Sequence, residues 1–229
     1  MTTFVVAGLE AEAKIARRAG LRTIVACGSK ERRATSIAQA IADGATGLIS
    51  FGIAGGLDPR LKPGTVLLPQ VVHTEAGEAF VADAAWRHRM LAHVPDAVAG
   101  AIYGAEAVVA RVSEKKSLFD RTQAVAVDLE SAAVARAAAR AGIPFIVLRT
   151  VADPAHRTLP QAAVFGLTGE GRVAYGLVFG HLARRPHQFP SLLFIAIETR
   201  RALTAIYAIA QPVDGFHALP VATAVSSQV

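Results

Sequence analysis

Apolar residues recur along the chain in two rhythms. Residues 4–7 are a short apolar run ending at Gly8, which predicts a buried strand. Residues 10–19 are rich in Ala, Glu, Lys and Arg and stop at Gly20, which predicts a helix with a glycine terminus. A second apolar run covers 21–26, and Ser29 is placed to cap a helix reaching Ile41, with Gly44 after it. A third run covers 47–51. Strand, helix, strand, helix, strand in fifty residues requires crossover connections, hence a parallel sheet. Short segments at 65–68, 71–73 and 80–81, separated by Pro, Gly and charged turns, predict a more antiparallel section, which 97–103 and 107–112 extend. Alternation returns with a strand at 124–127, a helix at 129–141 stopped by Gly142, a strand at 144–151 and a helix at 171–182. The fold class expected is α/β, a three-layer α/β/α arrangement around a mixed, partly parallel sheet.

The rest of the chain reads as an appendage. Residues 184–190 form a basic, proline-flanked hinge, 191–210 a last helix apolar around much of its circumference, and 212–229 a loose tail. The expected organisation is a catalytic domain over 1–183 and a hinge, helix and tail over 184–229.

Composition narrows the function. The chain has 229 residues, 52% of them hydrophobic, enough for one domain with a large core. No uncharged apolar run reaches the roughly 18 residues of a spanning helix, and the start lacks the basic segment of a secretory signal. One cysteine, Cys27, excludes a disulfide framework and a multi-cysteine metal site, so a cytoplasmic address is expected. The net charge is +6, yet the basic residues gather at Lys30–Arg33, Arg184-Arg185 and Arg200-Arg201 without interleaved aromatics. Nucleic acid is therefore not an expected partner. Seven histidines are scattered without the i, i+4 pairing of a zinc helix, and no metal site is expected.

Acidic and glycine-rich positions follow the predicted strands. Glu10 and Glu12 come after the first, Ile53-Ala54-Gly55-Gly56-Leu57-Asp58-Pro59 after the third, Asp128 and Glu130 after the strand ending at Val127, and Asp153 after the last. In open α/β sheets ligands bind beyond the carboxyl ends of the strands. Each acid alone could simply cap the next helix. Four strands delivering acids or a glycine turn to one edge point to a single pocket. Missing side chains at Gly55-Gly56 would let backbone N–H groups face a sugar or phosphate. That pattern is not Gly-x-Gly-x-x-Gly, and neither a Walker Gly-Lys-Ser/Thr nor a Gly-x-Ser-x-Gly elbow occurs. Gly28-Ser29-Lys30 could hold an anion at a helix start, although a plain N-cap is the simpler explanation. His156, three residues after Asp153, is a surface histidine on the simplest reading.

Several stretches are specific. Ser50-Phe51-Gly52-Ile53-Ala54-Gly55-Gly56-Leu57-Asp58-Pro59, with Leu61-Lys62-Pro63-Gly64-Thr65-Val66 after it, resembles the purine nucleoside phosphorylase/uridine phosphorylase superfamily. So do Val127-Asp128-Leu129-Glu130-Ser131-Ala132 and Pro144-Phe145-Ile146-Val147-Leu148-Arg149-Thr150-Val151-Ala152-Asp153. Gly8-Leu9-Glu10-Ala11-Glu12 resembles the opening of the methylthioadenosine/adenosylhomocysteine nucleosidases. The wording around Gly55 and the Arg184-Arg185-Pro186 hinge look most like the hopanoid-associated phosphorylases, held to remove adenine from the lipid adenosylhopane.

The resemblance implies cleavage of an N-glycosidic bond with release of adenine. Asp153 would protonate the departing purine, Glu130 would accept hydrogen bonds from the ribose hydroxyls, and Glu12 would orient and deprotonate the nucleophile. Asp128, Leu129, Ile53, Ala54, Gly55 and Val108 would line the substrate site, and Gly28, Ser29 and Arg149 would hold phosphate in a phosphorolytic reaction. Ile53 replaces a serine that helps bind phosphate, Ala152 replaces the serine before the acid, and Val108 or Val109 stands near the place of a base-stacking aromatic. No cofactor is implied, with phosphate as the optional co-substrate. The implied partners are a small adenosyl substrate, lipid-linked in the hopanoid case, and a second copy of the chain in a homodimer or larger homo-oligomer. Residues 184–201 would supply any peripheral contact with the inner face of a membrane. A non-catalytic nucleoside- or lipid-binding module is the alternative from another class.

Overall fold

The computed structural model describes residues 2–161, 189–211 and 216. The first fifty residues alternate as the pattern requires: β1 (Thr3–Ala7), α1 (Glu10–Arg18), β2 (Arg22–Val25), α2 (Lys30–Ala42) and β3 (Gly47–Gly56). Ser29 caps α2, its hydroxyl accepting from the Arg32 N–H at 3.3 Å. β4 (Val66–Leu67), β5 (Val71–Thr74), β6 (Ala79–Val81), α3 (Ala84–His93), β7 (Ala101–Gly104), α4 (Val112–Thr122), β8 (Ala124–Asp128), α5 (Ser131–Ala141), β9 (Phe145–Asp153) and α6 (Phe189–Ile209) follow. The expected helix at 171–182, most of the hinge, the boundary at 183/184 and, but for Phe216, the tail lie outside the described residues.

The strands form one mixed sheet in the order β2-β1-β3-β8-β7-β5-β6, with β9 against β3 and β4. Strand alternation sends Phe4, Val6 and Leu48 to one face, where they pack with Ile37 of α2 and Val134 and Ala138 of α5. Val5, Ile49 and Phe51 face the other side, with Ala16 of α1, Trp86 and Met90 of α3 and Ile206 of α6. These are the three expected layers. In the middle section β5 pairs antiparallel with β6 and β4 with β9, whereas β5–β7 and β7–β8 are parallel.

Three expectations need correction. Residues 107–112 are not a strand; the Ala110 carbonyl accepts from the Leu159 N–H at 2.9 Å, and the segment leads into α4. Helices α3 and α4 have no counterpart in the hydrophobic pattern, because Arg87 and Lys115 point inward among their apolar residues. Third, Ala54-Gly55-Gly56 is not a turn after β3 but its end: Gly52 adopts φ +145°, and a bulge between Ala54 and Gly55 carries the strand on.

That longer β3 positions everything that follows. One of its edges pairs in parallel with β1 as far as Phe51 and then antiparallel with β8 from Gly55. The carboxyl ends of β1 and β8 therefore point at each other across the gap around Ile53. β9 runs parallel along the other edge and ends at Asp153 opposite Gly55. β7, parallel to β8, ends at Gly104 beside Asp128 and sends the 105–109 segment to the same place. Within the described residues, no helix is long and apolar enough to cross a membrane.

Candidate active site

At this meeting of strand ends lies a cleft lined by Gly8, Leu9 and Glu12 from the β1–α1 junction and Ile53, Ala54 and Gly55 from β3. Val127, Asp128, Leu129 and Glu130 close it from β8, Ala152 and Asp153 from β9, and Val108, Val109 and Leu159 from two connecting segments. The structure thus brings together Glu12, Asp128, Glu130 and Asp153 with Leu129, Ile53, Ala54, Gly55 and Val108.

Glu12 sits in the first turn of α1 and is buried at 1% exposure. Its Oε2 accepts from the N–H groups of Gly8 at 3.0 Å and Leu9 at 2.8 Å, and its Oε1 from the N–H of Ile53 at 2.8 Å. The last N–H lies where β3 has lost β1 and not yet gained β8. Burial raises the Glu12 pKa, while nearby Arg149 and the three N–H donors oppose the rise. The nearby glycine has a steric reason: a Cβ on Gly52 would lie 2.4 Å from the Glu12 carboxylate and 2.7 Å from Arg149 Nη1.

Arg149 lies wholly buried on β9 as the cation of this wall. Its Nε pairs with Asp128 Oδ2 at 2.8 Å and its Nη2 with Glu130 Oε2 at 3.1 Å. It also donates to Ser50 Oγ at 2.7 Å and to the Ile53 carbonyl at 3.3 Å. Burial alone would lower its pKa, but Asp128, Glu130 and Glu12 raise it above its ordinary value. Asp128 is further fixed by the backbone N–H and hydroxyl of Ser131 at the start of α5. Three carboxylates surround one enclosed guanidinium and compete for its charge. Glu130 shows the consequence. Burial first, then the repulsion of Asp128 and Glu12, push its pKa up to about 7 against the pull of Arg149 and Arg33. A Cβ on Gly8 would lie 2.3 Å from Glu130 Oε1, so the bare backbone at the end of β1 makes room for this carboxylate.

Asp153 stands on the opposite wall, 9% exposed. Burial raises its pKa and Glu198 adds to the rise, while the paired Lys115 ammonium opposes it. Lys115, on the inward face of α4, bonds Asp153 Oδ2 and also donates to the carbonyls of Pro154 at 3.1 Å and Arg157 at 3.0 Å.

Other expected residues lie elsewhere. Gly28, Ser29 and Arg149, the phosphate candidates, do not line the cleft. The Gly28 carbonyl accepts from Arg33 at 2.7 Å, Ser29 caps α2, and Arg149 is consumed by its carboxylates. Glu10 forms an exposed pair with Arg17 at 2.7 Å, and His156 is exposed outside the cleft. Sequence reasoning missed Lys115, Leu159 and the inward-facing Arg149 cluster. Only the Pro-Phe-x-x-x-Arg wording hinted at the last. No group of acids, histidines and cysteines that could hold a metal occurs among the described residues.

Residues 23–170 match the family model of the phosphorylase superfamily. A 5′-methylthioadenosine/S-adenosylhomocysteine nucleosidase of Marinomonas sp. (strain MWYL1) is 31% identical over 140 residues, covering 50% of this chain and 59% of that protein. The match thus spans less than two thirds of that relative. Among solved structures, the nucleosidase of the same name from Neisseria meningitidis, bound to methylthio-immucillin-A, aligns with a TM-score of 0.64 at 19% identity over 93% of this chain and 99% of its own. The S-adenosylhomocysteine nucleosidase of Streptococcus pyogenes gives 0.67 at 16% identity over 93% and 97%. A futalosine hydrolase mutant of Helicobacter pylori gives 0.58 at 16% identity over 66% and 89%. At these identities the structural likeness is one of fold, and it agrees with the family match: the chain belongs to the phosphorylase superfamily.

Proposed function

We propose that this chain hydrolyses the N-glycosidic bond of an adenosyl compound and releases adenine. The observation that carries the reading is the convergence of Glu12, Glu130 and Asp153, each buried and each in a different electrostatic setting, on one cleft. Protonated Asp153 gives its proton to the purine as the C1′–N9 bond breaks, and the bonding pair leaves with the base. The ribose becomes cationic, and the carboxylates of the Glu12–Asp128–Glu130 wall favour that cation over the neutral substrate. Glu130 accepts hydrogen bonds from the ribose hydroxyls. Glu12, whose pKa burial raises, takes a proton from water as its oxygen bonds to C1′. Adenine and free pentose result, and solvent restores the two carboxyl groups.

Water is favoured over phosphate by the same geometry. The N–H groups of Gly8, Leu9 and Ile53, which could cradle an anion, are already taken by the Glu12 carboxylate. A second anion there would meet like charge, and Ile53 offers no hydroxyl. The activity of the Marinomonas relative supports the adenosyl class. Leu9, Val108, Val109, Val127, Leu129 and Leu159 give the cleft an apolar wall. That wall suits a purine face and an apolar 5′ substituent, and adenosylhopane is the lipid-linked substrate we propose.

Chromatography of the products from 5′-methylthioadenosine, S-adenosylhomocysteine and adenosylhopane, with and without phosphate, tests this. Adenine and free sugar at a rate independent of phosphate are expected, fastest from adenosylhopane. Sugar 1-phosphate would make the enzyme a phosphorylase, and absence of adenine from all three would end the enzymatic reading.

A further inference from the structure

Lys115 has no part in the reaction as described, yet it is the one lysine among the described residues with no exposed surface. Burying an ammonium is costly unless every proton finds an acceptor. Here the three acceptors are Asp153 Oδ2 and the carbonyls of Pro154 and Arg157. All three belong to the end of β9 and the segment after it, 38 or more residues further along the chain. α4 therefore presents a fixed cation to the carboxylate that faces the substrate. Ala152, directly before Asp153, has no side-chain donor to do so.

We propose that Lys115 is the positioning residue for Asp153: it fixes the carboxyl group at the cleft and receives the negative charge left when the proton passes to the purine. This rests on the N-glycosidic reading above. As Asp153 releases its proton, the pair changes from a neutral acid beside an ammonium to a full ion pair, and no further proton need move. Among the described residues, the other charges around Asp153 are Glu198 of α6 and Arg157, which bind each other at 2.8 Å, with Glu12 and the Arg149 cluster elsewhere on the cleft. Lys115 is thus the cation assigned to this acid. An opposite charge at contact shifts a carboxyl pKa downward by ~1–3 units. Lys115 makes Asp153 a stronger acid than its burial alone would allow.

The test compares Lys115→Met, Lys115→Arg, Asp153→Asn and the Asp153→Asn/Lys115→Met double variant, with folding followed by thermal melting. On 5′-methylthioadenosine, Lys115→Met should lose ~10-fold or more in kcat, within the range of general-acid contributions. The alkaline limb of its pH profile should move up by ~1–3 units, because an acid without its counter-ion holds its proton longer. Lys115→Arg should restore part of the rate. On 4-nitrophenyl β-D-riboside, whose leaving group needs no proton, Lys115→Met should match the wild type. A merely structural lysine would slow both substrates and leave the limb in place. Should Lys115→Met not fold, the comparison rests on the other pair: the double variant, which buries no lone charge, should be no slower than Asp153→Asn. A further loss there, or a folded Lys115→Met with wild-type rate and profile, overturns the inference. Absence of adenine release by the wild type would instead overturn the N-glycosidic reading.

Discussion

The two walls of the cleft use the same residue type in opposite ways. On one, Glu12, Asp128 and Glu130 gather around the enclosed cation Arg149, and burial, with the repulsion of Asp128 and Glu12, pushes the Glu130 pKa up to about 7. On the other, Asp153 is the one carboxylate paired with Lys115 among the described residues. A crowded carboxylate wall is suited to a neighbouring positive charge. An acid with its own counter-ion is suited to losing a proton. On the proposed reading, the difference between holding a cation and delivering a proton comes from how many carboxylates surround each buried cation, not from the carboxylates themselves.

The comparison breaks most visibly at Asp153. Asp153→Asn should slow adenine release by ~10²–10⁴-fold in initial-rate assays; an unchanged rate would remove Asp153 from the acid's role. On the other wall, Arg149→Met leaves three buried carboxylates without their cation. It should destabilise the fold by ~3–5 kcal/mol, read as a lower urea midpoint, and an unmoved midpoint would mean that the carboxylates are compensated elsewhere.

A smaller effect is expected where only geometry changes. Gly52→Ala places a methyl group against the Glu12 carboxylate at a backbone φ of +145°. It should cost up to ~10²-fold in kcat, with KM less affected, whereas equal losses in binding and turnover would point to general damage.

Glu130 gives the finest distinction, because its stability and activity effects have opposite signs. Its folded pKa, about 7, lies above its ordinary value of 4.5. The folded state therefore holds the proton more tightly. The stabilisation is complete below pH 4.5 and disappears as pH rises through about 7. The melting temperature should fall over that interval, and Glu130→Gln should flatten the slope. Ribose binding by an ionised Glu130 should strengthen over the same interval, so kcat/KM rises where stability falls. A Glu130→Gln variant with the wild-type melting slope would show that this group does not titrate there.

Much of the frame was legible because the β1–β3 half obeys simple rhythms: short apolar runs such as Val5-Val6-Ala7 and helices stopped by Gly20 and Gly44. The acids after β1, β8 and β9 could be grouped because strand ends of a partly parallel sheet converge. The remainder depends on tertiary context. In α3, Trp86, Arg87 and Met90 point inward among His and Arg, so no clean apolar stripe marks the helix. The Val108–Val109 stretch has the composition of a strand, but its carboxyl-end position beside β8 turns it into cleft wall. Lys115 is the hardest case. A lysine between Glu114 and Lys116 reads as solvated surface, and its partner lies on a strand that only the fold brings near. Arg149 was legible as a motif residue, but its enclosure by Asp128 and Glu130 was not.

The proposed hydrolysis requires Glu12, Glu130 and Asp153 to act together on one ribosyl-purine bond with water as the attacking group. Its most direct test is turnover of 5′-methylthioadenosine in H₂¹⁸O containing phosphate, with both products read by mass spectrometry. Unlabelled adenine and a pentose carrying one ¹⁸O at C1′ are expected. A pentose 1-phosphate, or intact nucleoside after prolonged incubation, would contradict it.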